Sequence, residues 1–179
     1  MNCPVIGQRV RKILQNEPLF GQSFSMDRFD AAILEILQQN SRLTAEAVSQ
    51  QIGLSPDACR KRLARLRASG IIEAEVALLD PTKIGRGLLL IVEVSLNRER
   101  KDDLEYFKSR MRAAPEVMQC YYVTGNADFI LVVSARDMTD FENFTAEYFF
   151  EEENVLRFRT SAVMNRVKVG FAMPVEAES

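Results

Sequence analysis

The sequence predicts an α+β chain of two small domains, a helix-turn-helix unit followed by a ferredoxin-like βαββαβ sheet. Three observations carry this. A length of 179 residues suits two domains of roughly 50–100 residues each. Between Asp27 and Gly70 apolar residues recur at helical spacing in three short, capped stretches. From Leu88 to Val169 the pattern runs strand, helix, strand, strand, helix, strand, the order of a split βαβ fold. The boundaries that follow are an extension at 1–25, a helical domain at 26–80, a linker at 81–87 and a sheet domain at 88–179.

The extension holds a basic stretch, Val5 to Leu14, that suits a helical turn or two. Met26 stands immediately before a strong helix start, so residues 1–25 read either as an arm or as a misassigned start. Arg9, Arg11 and Lys12 interrupt the apolar core that a signal peptide would need.

Asp27 is a good N-cap, Asp30 adds negative charge to the first turn, and Phe29, Ile33, Ile36 and Leu37 carry the first helix to Asn40. Thr44 caps a short second helix with Ala47, Val48 and Ile52 on one face. Gly53 ends it, because glycine accepts the left-handed conformation of a C-terminal turn. Ser55 followed by Pro56 starts the third helix: the hydroxyl takes an orphan amide, and proline at the first position has none to lose.

That third helix carries Arg60, Lys61, Arg62, Arg65 and Arg67 against the single acid Asp57. Cys59, Leu63 and Leu66 form its inward stripe, Cys59 as a small buried apolar residue. Asp57, Lys61 and Arg65 then point away from the stripe, Ala58 and Ala64 lie beside them, and Arg60, Arg62 and Arg67 flank it. Small residues between long cations let a helix approach a nucleic-acid groove while guanidinium groups reach phosphates and guanine edges. The candidate DNA-contacting set is Ser55, Asp57, Ala58, Arg60, Lys61, Arg62 and Arg65. The alternative reading, a merely solvated basic face, is weakened by the capped helix and glycine turn before it.

After Gly70, residues 71–79 read as an extended segment ended by Asp80-Pro81. Expected next are a strand Leu88–Leu96, a helix Asp102–Ala113 with Leu104, Phe107 and Met111 inward, and a strand Val117–Thr124. A turn at Gly125-Asn126, a strand Phe129–Ser134, a helix Thr139–Phe149 opened by a Thr139/Glu142 capping box, and a strand Phe158–Val169 complete the domain. With Leu88, Leu90, Val92 and Val94 read as placing apolar residues on both sides of the sheet, one face requires a second copy of the chain.

Composition narrows the function. Three cysteines, Cys3, Cys59 and Cys120, lie in no metal-binding spacing, and their odd number fits a reducing, cytoplasmic setting. The absence of histidine excludes imidazole-based triads and histidine-bearing zinc and haem sites. No metal and no cofactor is expected. The longest apolar run, Leu88 to Val92, is far short of the roughly 20 residues of a membrane helix. The net charge of −2 conceals the basic third helix.

At the turn, amides around Gly125 suit a carboxylate and Asp128 suits an ammonium group, together an α-amino acid. A plain hairpin turn with Asp128 bonding its own backbone fits the same residues, which by themselves leave both readings open.

Four ordered motifs, MDRFDAAILEILQQNSR, IGLSPDACRKRLARL, SGIIE with LLDP after it, and TGNADFIL, make residues 26 to about 170 resemble the Lrp/AsnC family of transcription regulators. The resemblance implies a winged helix-turn-helix that binds double-stranded DNA through the third helix. It implies a ferredoxin-like dimerisation and effector domain, and homodimers assembling to tetramers or octamers. It also implies an amino acid or similar small metabolite as effector. The implied effector site comprises Thr124, Gly125, Asn126, Ala127 and Asp128, with Thr160, Ala162 and Met164 from the last strand. Many relatives carry an acid where this chain has Asn126. Two other readings stand beside it. One is an enzyme resembling a sirohaem-decarboxylating branch, whose histidines this chain lacks; the other is a metabolite-responsive module that has ceased to read DNA.

Overall fold

The computed structural model describes residues 25–177. The predicted basic stretch at Val5 to Leu14, and Cys3, lie outside the described residues. The chain divides into two compact units. One runs up to Ala77 and resumes from Val169; the other is Leu78–Lys168. The tail from Val169, predicted as part of the sheet domain, therefore groups with the helical unit.

In the helical unit, α1 spans Arg28–Gln39, α2 Ala45–Ile52 and α3 Pro56–Ala68. All three predicted caps form. The Asp27 carboxylate accepts from the amides of Phe29 and Asp30, both at 2.9 Å, and the Asp30 carboxylate accepts from the Asp27 amide at 3.3 Å, a reciprocal box. Thr44 accepts from the Ala47 amide at 3.2 Å and Ser55 from the Ala58 amide at 3.3 Å. Gly53, at φ +70°, turns the chain where a side chain would be strained. Ile33, Leu37, Val48, Cys59, Leu63 and Leu66 close one core, each fully buried aliphatic contributing about 1.5–3 kcal/mol.

The extended segment 71–80 forms no ladder among the described residues, and Ile71, Val76, Leu78 and Leu79 are exposed. The tail returns to α1: the Gln38 amide donates to the Met173 carbonyl at 2.9 Å, its oxygen accepts from the Met173 amide at 2.6 Å, and Val175 packs against the core. This two-point bond explains the grouping of the tail with the helices.

The second unit holds β1 Leu88–Leu96, α4 Lys101–Ala113, β2 Val117–Tyr122, β3 Phe129–Ala135, α5 Met138–Thr145 and β4 Val155–Ala162. A π-helical turn, Ala146–Phe150, continues α5. The strands form one antiparallel sheet in the order β2-β3-β1-β4. Leu90, Val92, Val94 and Leu96 point to the helix side, with Phe129, Leu131 and Val133, and meet Phe107, Met111, Phe141, Phe144 and Phe149. Cys120, partly buried beside this core, has its thiol pushed up to about 11 by burial and stays protonated at neutral pH.

Three expectations are corrected here. Leu88, Leu90, Val92 and Val94 share one side, as the two-residue strand period requires; the other carries Leu89, Ile91, Glu93 and Ser95. Helix α5 starts at Met138, one residue before the expected Thr139, because Asp137 caps the Asp140 amide at 2.8 Å in place of the Thr139/Glu142 box. Strand β4 begins at Val155 and stops at Ala162 instead of running from Phe158 to Val169: its ladder with β1 closes at Leu90–Ala162, with one further bond from the Val163 amide to the Leu89 carbonyl at 2.9 Å.

Candidate functional site

Helix α3 exposes a cationic face, but its cations differ in how they are held. Arg60 bonds Glu46 of α2 at 2.8 Å and also pairs with Asp57. Arg67 bonds Glu75 at 2.8 Å. These pairs are roughly half exposed or more on the arginine side, and such surface pairs are worth about 0–1 kcal/mol, so phosphates can replace the acids at little cost. Among the described residues Lys61 alone of the five has no ion pair; its side chain is exposed.

Arg62 and Arg65 converge instead on Asp30 of α1, whose side chain is 0% exposed. Arg62 donates to Asp30 Oδ1 at 2.9 Å and reaches Asp27 Oδ2 at 2.7 Å; Arg65 Nη2 bonds Asp30 Oδ2. The Asp30 amide, opposed by burial and helped by Arg62, holds the Asp27 carboxyl below the usual carboxylate range. Arg62 is only 26% exposed and lies 5.5 Å from the Phe29 ring, whereas Arg65 stays half exposed. Ala58, Lys61, Arg62 and Arg65 line an open depression of about 290 Å³.

Of the predicted contact residues, Lys61 and Arg65 are presented outward, with Ala58 half-buried between them. Ser55 spends its hydroxyl on the cap, Asp57 and Arg60 pair with each other, and Arg62 turns inward. Asp30 is the residue that sequence reasoning undervalued. Its signal was present: Asp30, Ile33, Leu34 and Leu37 fall at i, i+3, i+4 and i+7, which puts a carboxylate on the buried stripe of α1.

The turn between β2 and β3 is also more committed than expected. Gly125 takes φ +137°. Asp128 Oδ2 accepts from the Leu96 amide of β1 at 2.7 Å, while its backbone amide bonds the Val94 carbonyl at 2.9 Å. One carboxylate oxygen thus ties the turn to the neighbouring strand instead of closing the local Asx turn that the residues also suggested. The Asn126 carbonyl accepts from Ser95 Oγ at 3.4 Å and from Arg157 Nη2 at 3.5 Å.

Arg157 and Arg159, which had no predicted role, share the open side of the sheet with this turn. They stand opposite Ser95 and Glu93 in the ladder. Thr160 and Ala162 alternate to the other side with Phe158, and Met164 lies past the strand end, 97% exposed. The structure therefore brings Thr124 to Asp128 together, but not with Thr160, Ala162 and Met164. Between Glu93, Ser95, Asn126, Ala127, Arg157 and Arg159 lies a cavity of about 10 Å³, room for about one water and not for an amino acid.

A capped helix-turn-helix with an outward cationic third helix, joined to a small antiparallel sheet domain, is the architecture of a ligand-responsive DNA-binding regulator. The chain belongs to the Lrp/AsnC family of transcriptional regulators: the AsnC-type helix-turn-helix domain matches residues 26–67 and the Lrp/AsnC ligand binding domain residues 89–173. It is 49% identical over 160 residues to an uncharacterized HTH-type transcriptional regulator, y4tD, of Sinorhizobium fredii, spanning 89% of this chain and 95% of that protein. It is 34% identical over 143 residues to the leucine-responsive regulatory protein of Escherichia coli, spanning 80% and 87%. Among solved structures, the transcriptional regulator NMB0573 of Neisseria meningitidis in complex with L-Met aligns with a TM-score of 0.79 at 34% identity, covering 84% of this chain and 97% of that one. No helix of the described residues is long and apolar enough to cross a membrane.

Proposed function

We propose that the chain regulates transcription as a sequence-specific DNA binder in the cytoplasm, acting by binding and not by catalysis, with an amino acid as effector. The observation that carries the DNA reading is the outward presentation of Lys61 and Arg65 on a helix whose amino end is set by Ser55 and Pro56. Asp57, Ala58, Arg60, Lys61 and Arg65 face the base edges, and exposed Arg67 adds phosphate contact. Arg62 supports the face from within. A homodimer, able to assemble to tetramers or octamers, presents two such helices to a roughly palindromic duplex.

The test is a duplex selected from a random library by the wild-type protein. Lys61→Ala combined with Arg65→Ala is expected to weaken binding to it by roughly a hundredfold or more and to reduce the salt slope by about two, with the dimer intact. Retained affinity would remove α3 from its role.

For the effector, Thr124 to Asp128 form the core of the site, with Thr160, Ala162 and Met164 contributed by a second copy, since the single chain holds no ligand-sized cavity at the turn. Glu93 opposite Arg159 on the open side offers charges that a two-fold axis can pair between copies. The L-Met complex of the Neisseria relative supports an α-amino acid as the ligand class. A thermal-shift screen of the protein amino acids is expected to raise Tm by several degrees for at least one at ~100 times its Kd, where mass action adds about 2.7 kcal/mol. A flat screen would count against the effector reading.

A further inference from the structure

Arg62 and Arg65 are the two cations of α3 that surface phosphates cannot simply take over, because their acid is a fully buried carboxylate on another helix. The geometry around it is not that of a passive core pair. Asp30 gives one oxygen, Oδ1, to Arg62 and the other, Oδ2, to Arg65 and to the Asp27 amide. Arg62 lies three residues before Arg65 on α3 and is itself braced by Asp27 and the Phe29 ring. The base of the depression beside Lys61 is therefore charged, ordered and connected to the cap of α1. Arg65 stays half exposed while its Nη2 is bonded to Asp30.

A planar guanidinium held at one edge loses much of its rotational freedom before it meets a base, so less entropy is lost on forming a bidentate contact. From this we infer that Asp30 is a positioning residue for sequence recognition, orienting Arg65 toward the DNA while Arg62 serves as the strut between them. The inference rests on the DNA-binding reading above and adds the source of specificity within it. Asp30 itself touches no DNA. Its removal therefore changes discrimination between sequences without changing the number of phosphates neutralised.

The experiment measures wild-type and variant affinity for the selected duplex and for poly(dI·dC), each across a salt series. For Asp30→Asn, discrimination between the two is expected to fall roughly ten- to hundredfold, the range of one good base contact. The salt slope is expected to hold, and binding to poly(dI·dC) to stay level or tighten as a negative charge is lost. A merely structural role would weaken both duplexes together. In an Arg65→Ala background, Asp30→Asn is expected to add little; a full additional loss would show that Asp30 does not act through Arg65 and would overturn the inference. Unchanged discrimination in a folded Asp30→Asn protein would overturn it as well.

Should Asp30→Asn fail to fold, Arg65→Lys decides. It keeps the charge at a half-exposed site but lacks the fork that can hold Asp30 and a base at once. Loss of discrimination with an unchanged salt slope supports the inference, and retained discrimination rejects it. If the wild-type protein selects no sequence, the DNA-binding reading fails and takes this inference with it, a result distinct from a selective wild type with indifferent variants.

Discussion

Arg62→Ala is expected to unfold the helical unit while leaving the sheet unit intact. Arg62 would be scored as a DNA contact from sequence, yet it sits only 26% exposed, bonded to Asp30 at 2.9 Å and to Asp27 at 2.7 Å. Truncating it leaves the buried Asp30 carboxylate with Arg65 as its remaining arginine partner. Breaking one side of a buried ion pair costs about 3–5 kcal/mol, and the retained Arg65 places this case near the lower end, about 3 kcal/mol. A unit of roughly 60 residues has only about 3–9 kcal/mol of stability, so the loss is a large share of the total.

Amide hydrogen exchange resolves the two units. Protection is expected to collapse across α1 to α3 and persist in β1 and β3. DNA binding should fall at 37 °C and recover in part on moderate cooling or with a stabilising osmolyte, because Lys61 and Arg65, the groups proposed to face DNA, are retained even though Arg65 loses its strut. Loss of DNA binding with undiminished protection would return Arg62 to the list of direct contacts.

The second large effect is expected at Phe129. Its side chain is 0% exposed, its ring lies 4.6 Å from Phe107 and 5.1 Å from Tyr122, and its backbone pairs with Val94 of β1. Phe129→Ala removes a large buried ring that joins α4 to the sheet, at a cost of about 3–5 kcal/mol with its cavity. Phe129 follows Asp128, so the turn proposed for the effector loosens with the core. The expected result is a lower urea midpoint for the sheet unit, together with loss of the proposed dimer and of any amino-acid thermal shift. A change below about 1 kcal/mol would mean that the site collapses around the missing ring more fully than its packing implies.

Much of this architecture was legible because the relevant physics is local. Asp27, Thr44 and Ser55 sit within three residues of the amides they cap, so the starts of α1, α2 and α3 could be read directly. Gly53 could be read for the same reason. The fifth helix shows the limit: Thr139 and Asp137 both offer a plausible cap, and only the formed turn shows that Asp137 takes the Asp140 amide. The end of β4 was not local at all, since it is set by where pairing with β1 ceases, at Leu90–Ala162. The site followed the same division. Helical periodicity placed Lys61 and Arg65 on the exposed face, as the structure has them, whereas Arg62 is held inward because a long side chain can turn toward solvent or toward a buried acid on another helix.

The order of the elements, the membership in the Lrp/AsnC family and the cationic character of α3 were determined by the chain of amino acids alone, through periodicity and caps that act over a few residues. Tertiary structure alone decided that Asp30 divides its carboxylate between two arginines, that Asp128 ties its turn to β1, and that the tail returns to Gln38. The physical reason is distance along the chain. Each of these bonds joins groups 32 or more residues apart, and which partners meet is fixed by how helices and strands pack, a choice that local spacing does not encode.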